Sequence, residues 1–271
     1  MQKAERRRIL IWGKTYPELS DTYDETVCTG GCFEDGSPVR IYPVPFRYLP
    51  RFKQYKLYQW IEAPVWPSQD DPRPESFKID AENITTGERI ETDPGWMKRR
   101  EVLNRDDSWH YRSVAALLED QDETGASLGL VSVGQIENVY VNERPQEEKR
   151  RHQQQLKAKK SQVDLFDEET KLDLEFQEFR IRVEWRCGTP GNVDHCNGHD
   201  MAILDWGLGE LGRRDGREAA LSRITELANL EKYELKFFLG NLFRFPQSFT
   251  IVGLWYSKRA DLRRREAPLF Q

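Results

Sequence analysis

Four cysteines in 271 residues are too few for a disulfide-stapled scaffold. Long apolar runs are missing as well. No stretch approaches the roughly 20 apolar residues of a membrane span, and the opening MQKAERRRILIWGK has no apolar region long enough for a secretory leader. Neither sign of charge dominates, since 41 Lys and Arg against 46 Asp and Glu leave a net charge of −5. That balance argues against a broadly basic coat for duplex nucleic acid but leaves room for a local basic groove. A Walker-type phosphate loop and HExxH are absent; the GxGxxG at 207–212 lies inside the helical run from Met201, and the GxSxG at 125–129 leads into a strand rather than a helix, which weakens nucleotide hydrolysis, dinucleotide redox and hydrolase chemistry. The expectation is a reducing, cytoplasmic protein with no membrane partner.

Aromatic residues are plentiful, with 8 Trp, 10 Tyr and 13 Phe, enough for a real core. Ile9 to Trp12 reads as a first strand, Thr26 to Thr29 as a second running into Gly30-Gly31, and Asp35-Gly36 as a hairpin turn. On the returning strand, alternation points Val39 and Ile41 inward and Arg40 and Tyr42 outward. In PVPFRYLPRFKQYKLYQWIEAPVW, aromatics alternate with Arg and Lys. Rings stack on bases and cations hold phosphates, so Arg40, Tyr42, Arg47 and Arg73 are the candidate nucleic-acid-binding residues. A small barrel with an aromatic core and a basic rim would look the same. QDDPRPESFKID reads as a Pro-restricted surface loop.

Asp106-Asp107-Ser108 offers caps for a helix through Leu118. Ser127–Val133 and Ile136–Val141 read as two strands joined near Gly134. Composition shifts at Asn142. QEEKRRHQQQLKAKK is strongly charged and low in complexity, an exposed helix or a flexible connector, and Asp164–Asp173 reads as a second mobile segment. FQEFRIRVEW then alternates as a strand. Met201–Arg214 and Glu218–Lys232 have helical periodicity, Leu235–Leu239 and Phe249–Tyr256 read as a hairpin, and the polar tail reads as frayed.

The densest chemistry lies in CGTPGNVDHCNGHD. Cys187, Cys196 and His199 are ligands of the kind zinc takes, with His195 as a fourth candidate and Asp200 as another. Cys28 and Cys32 could reach the same ion if the chain packs that way. The glycines around Cys196 suit a small knuckle followed by a helix from about Asp200. Two cysteines and two histidines with no metal are the plainer account. His199, Asp205 and Glu210 are the weak catalytic candidates for metal-assisted chemistry, though helical spacing keeps them off a common face. Glu234-x-Lys236 is half of a nuclease pattern and also an ordinary strand alternation.

Three phrases, ILIWGKTY, ETVCTGGCFEDGSPVRIYPVPF and SLGLVSVGQIENVYV, make roughly residues 8–141 resemble the dual OB-containing domain of prokaryotic proteins. That resemblance implies two small β-barrels and a link to nucleic acid, in mobile-element or phage-defence settings. The combined expectation is an α+β chain: an OB-like small-barrel region at 1–142, a charged connector at 143–175, and an α+β module with a zinc-knuckle-like turn at 176–271. Its expected function is nucleic-acid binding through an aromatic and basic groove with a structural zinc, in a phage-defence or DNA-modification system. The alternatives are a metal-dependent nuclease or base-modifying enzyme, and an adaptor for a protein partner.

Overall fold

Ile9–Trp12 forms the buried middle of a ten-residue strand, β1 (Glu5–Lys14), in the computed structural model, which describes residues 4–19, 25–162, 176–193 and 195–266. β1 pairs on one side with β3 (Glu25–Phe33) and on the other with β5 (Gln59–Pro67); the two-residue β2 (Glu18–Leu19) adds to β3. The Asp35-Gly36 hairpin leads into β4 (Pro38–Val44), which runs parallel to β6 (Ser76–Ile79). β6 pairs with β5, so β1-β3-β4-β6-β5 closes on itself as a five-stranded, OB-like barrel, with β7 (Thr85–Arg89) outside it on β5. Alternation fills the barrel with Ile9, Ile11, Val39, Ile41, Ile61 and Val65. Phe46 and Tyr55, from the aromatic and basic stretch, plug the same core.

The second half forms another ring. α1 (Met97–Leu103), β8 (His110–Tyr111) and α2 (Val114–Thr124) lead to β9 (Leu128–Glu143), one 16-residue strand. After α3 (Gln146–Gln162) come β10 (Phe179–Cys187) and β11 (His199–Ala202), then α4 (Trp206–Asp215), α5 (Arg217–Leu227), the hairpin β12 (Tyr233–Leu242) and β13 (Phe245–Lys258), and α6 (Arg259–Glu266). The sheet order is β11-β10-β9-β12-β13. A parallel bridge between Ile203 and Ile251, with the Leu204 amide donating to the Ile251 carbonyl at 2.8 Å, joins its two edges. Taken in chain order, the five strands of each ring therefore run 1-2-3-5-4 and back to 1, with the third and fifth parallel. α4 and α5 fill the place between third and fourth strands, and Leu208, Ile224 and Leu227 cap the core.

Several elements differ from the sequence reading. Gly134 does not break β9; its bare Cα leaves room for the loop after β10, where a Cβ would meet Val193 at 2.4 Å. The helix expected after Asp106 begins only at α2, where the Ser113 hydroxyl accepts from the Ala116 amide, because Trp109 and Tyr111 are drawn into packing against β9. The helix expected from Met201 starts at Trp206, because His199–Ala202 pair with β10 first. Glu218–Lys232 is helical only to Leu227, and the tail carries α6. Asp164–Asp173 lies outside the described residues. The division at 142 also moves, since β9 runs on to Glu143 and pairs with β10 and β12. No helix among the described residues is long and apolar enough to cross a membrane.

A third core joins the rings. Trp12 stacks on Phe238 with ring centroids 4.3 Å apart, and Trp96 packs edge-on against Trp255 at 4.9 Å. Gly30 is bare for this reason: a Cβ there would meet the Trp12 ring at 2.2 Å.

Candidate functional site

A cavity of about 450 Å³ opens where the two rings meet, within the range of about 300–1,000 Å³ typical of ligand pockets. The first ring supplies the outward faces of its second and third strands, through Cys28 on β3 and Arg40 and Tyr42 on β4. Its first-to-second connection adds Tyr16, and its fourth-to-fifth connection adds Arg73. The second ring contributes the corresponding connections: Arg144 and Arg151 between β9 and β10, and Phe243 between β12 and β13. Arg180, at the start of β10, completes five arginines in a wall that, among the described residues, carries only Glu18 and Asp205 in opposition. Tyr42 and Phe243 remain 43% and 51% exposed, so flat apolar faces stand open beside the guanidinium groups.

The two arginines of the first ring are held in place. Arg40 points out of its barrel as alternation requires, but the second ring covers it and leaves it 3% exposed. It donates to the Ser127 hydroxyl at 2.7 Å and to the Ser127 carbonyl at 2.8 Å. Glu75 in turn accepts from the Ser127 amide and hydroxyl, both at 2.8 Å. Arg73 grips Asp71 with Nε at 2.8 Å and Nη2 at 2.6 Å, and donates to Asn241 across the ring boundary at 2.7 Å. In the segment expected to be a surface loop, Gln69, Asp70, Pro72 and Pro74 are exposed, while Arg73, Glu75 and Ser76 turn inward and join the rings. Arg47 is drawn away from the cavity to Glu25, 2.9 Å off and buried. Burial pushes the Cys28 thiol up, and Arg40 and Arg73 only partly oppose it, so Cys28 stays neutral.

A separate cluster lies in the second ring, at the connection between β10 and β11. Nε2 of His199 is 3.2 Å from the Cys196 sulfur and 3.5 Å from the Cys187 sulfur. Metal–sulfur bonds of about 2.3 Å and metal–nitrogen bonds of about 2.0–2.1 Å at the tetrahedral angle would place S and N about 3.6 Å apart. The three residues could therefore hold a metal ion. His199 leans on the buried Trp185 ring at 5.0 Å, and burial lowers its pKa, which favours the neutral imidazole that ligates. Burial and the neighbouring Cys196 raise the Cys187 pKa, so a bound cation would displace the thiol proton. The knuckle turns tightly at Gly188, where φ is +122° and a Cβ would meet the Asn192 carbonyl at 2.5 Å.

His195 is exposed and outside the cluster, and the Asp200 carboxylate is engaged by Arg182 at 2.9 Å and Tyr140 at 2.9 Å. Cys28 and Cys32 sit on β3 in the first ring, away from the cluster. The three catalytic candidates are not assembled. His199 faces the cysteines, Asp205 caps α4 by accepting from the Leu208 amide at 2.9 Å, and Glu210 pairs with Arg213 on the exposed side of α4. Burial raises Asp205 to about 6, partly opposed by its own amide partners and by Lys14. Glu234 and Lys236 belong to a packed network with Arg100 and Ser257.

Sequence reasoning missed Tyr16, Arg144, Arg151, Arg180 and Phe243. The signal that could have found Phe243 is NLFRF, two aromatics and a leucine gathered at a hairpin tip, where all three stay exposed. Residues 5–105 match a family model described as Domain of unknown function (DUF8758), and residues 110–271 match one described as Domain of unknown function (DUF8757). The seam between the matches falls just before β8, after the first ring. No curated protein matches the sequence. With residues 110–271, more than half of its length, under the second model, the chain belongs to the family described as Domain of unknown function (DUF8757).

Proposed function

We propose that this protein binds single-stranded nucleic acid in the groove between its two rings. The observation that carries the reading is where the groove's wall comes from. OB barrels bind oligonucleotides on the face of their second and third strands and on the first-to-second and fourth-to-fifth loops. Cys28, Arg40, Tyr42, Tyr16 and Arg73 occupy those places in the first ring, and the equivalent loops of the second ring close over the same space. Stacking on Tyr42 and Phe243 and charge from the arginines are the two ingredients of sequence-tolerant single-strand binding. The repeated strand order also supports kinship with dual-OB proteins, with the second ring at β9–β13 rather than within residues 8–141. The defence or DNA-modification setting rests on that resemblance alone. Four free thiols fit a reducing cytoplasm.

Zinc is the metal proposed for Cys187, Cys196 and His199, since two thiolates and an imidazole suit it better than magnesium. Its proposed role is structural, because the cluster pins the connection between β10 and β11 and does not line the groove.

Fluorescence anisotropy with labelled single-stranded DNA and RNA at several salt concentrations tests the reading. Affinity is expected to fall as salt rises. Tyr42→Ala and Phe243→Ala should each weaken binding by about 1–3 kcal/mol, the value of one stacked base. Absence of salt-dependent binding to either polymer would leave the adaptor reading standing.

A further inference from the structure

The two arginines contributed by the first ring are built differently from the rest of the groove. Among the described residues Arg40 has no ion pair, although it is almost completely buried. A buried guanidinium without a carboxylate partner is costly unless something anionic reaches it. The carboxylates nearby are already committed. Asp71 holds Arg73 and accepts from the Ser76 hydroxyl at 2.8 Å, while Glu75 is spent on Ser127. Asp71 and Asn241 take Arg73 Nε, Nη1 and one Nη2 proton, and Ser127 takes one proton each from Arg40 Nη1 and Nη2, so the second Nη2 proton of Arg73 and the second protons of both Arg40 Nη atoms are left for a ligand. Gly240 lets β12 pack closely on Arg40, since a Cβ there would lie 3.3 Å from Nη2. The neutral Cys28 thiol adds no negative charge at this end.

We infer that Arg40 and Arg73 form a pocket for a phosphomonoester at the floor of the groove. Resting on the nucleic-acid reading above, its source is the terminal phosphate of the bound strand. An internal phosphodiester carries one charge and must let the chain leave on both sides. A terminal phosphate carries about −1.5 to −2 at neutral pH and can be inserted end-on against two guanidiniums. Arg40 lies too deep for a strand to pass across it, yet it lines the cavity. The groove thus has a polarity: an end anchored at Arg40 and Arg73, and bases running out over Tyr42 and Phe243.

Competition against a labelled single-stranded probe tests this, using unlabelled oligonucleotides of one sequence with a 5′-phosphate, a 3′-phosphate, or hydroxyls at both ends. One phosphorylated form should compete about 10- to 100-fold better than the hydroxyl form, the strength of one or two charge-assisted hydrogen bonds. Arg73→Gln should erase that advantage, so that the phosphorylated and hydroxyl forms compete equally, whatever affinity all three forms lose together with the removed charge. Arg40→Gln should do the same if circular dichroism shows it folded; Arg73, at the ring boundary, serves if it is not. Equal competition by all three forms overturns the pocket while leaving groove binding intact. If no oligonucleotide binds, the strand reading fails and free nucleotide decides the pocket by itself. Thermal stabilisation by a nucleoside 5′-monophosphate but not by the nucleoside, lost in Arg73→Gln, would sustain it, and no difference between the two would end it.

Discussion

Glu234 and His110 are single residues whose protonation the fold dictates in opposite ways. Burial alone would raise Glu234, but the Arg100 guanidinium and the Ser257 hydroxyl outweigh it and hold the carboxyl at about 2. Its unfolded value is 4.5, so the folded state binds fewer protons between those limits. The stabilisation is complete above pH 4.5 and is lost as pH falls toward 2. Glu234→Gln should cost about 2–4 kcal/mol at neutral pH and flatten the acid limb below pH 4.5. His110 acts at higher pH. Burial, with Lys236 nearby, lowers it from 6.5 to about 4. Its neutral form contributes stability above pH 6.5 that declines as pH drops toward 4, and His110→Gln should remove only that limb. Chemical denaturation from pH 8 to 3 measures both. Overlapping profiles for wild type and both variants would rule out these assignments. Neither effect is readable in the sequence, where Glu234-x-Lys236 looks like exposed alternation and His110 falls in the first turn of an expected helix.

At the level of elements, the knuckle between β10 and β11 was visible because its chemistry is local: three ligands within thirteen residues, with glycines between. Strands were legible for the same reason, β4 and β10 through alternation and β1 through a short apolar run. Pairing was not. That Arg40 is covered, that Gly134 is packed on by a loop, and that β9 belongs with β10 and β12 all depend on partners far away in the chain. The helix misplaced at Met201 shows the limit of periodicity, because four residues pairing with β10 override it. The metal prediction belongs to this element. Freshly purified protein should contain about one zinc per chain, and Cys196→Ser and His199→Ala should each lose it. Chelation should loosen the segment 188–198, seen as faster hydrogen exchange there, with nucleic-acid affinity changed little because the groove is lined elsewhere. Metal-free protein with unchanged exchange would reduce the cluster to two thiols beside a histidine.

Across the whole molecule, two family matches suggest two independent bodies, but the packing argues for one. The segments matched at 5–105 and 110–271 share a core in which Trp12, Trp96 and Trp60 of one meet Phe238, Trp255 and Leu130 of the other. Arg40 to Ser127, Arg73 to Asn241 and Arg100 to Glu234 cross that boundary, and Trp109, in the seam between the segments, donates its indole N–H to the Gly36 carbonyl at 3.1 Å. Aromatic side chains bury about 150–250 Å² each, so separating the segments would expose a large apolar face on both. The groove itself also exists only while the rings are docked. Unfolding in urea should therefore follow one transition, with tryptophan fluorescence and far-ultraviolet circular dichroism coincident. Trp12→Ala, which removes the ring stacked on Phe238, should cost about 3–5 kcal/mol and shift both signals together. It should also abolish nucleic-acid binding at denaturant concentrations where wild type still binds. Two resolved transitions, or a Trp12→Ala protein in which one segment melts early and the other keeps its native midpoint, would mean that the rings are independent and the groove between them is adjustable.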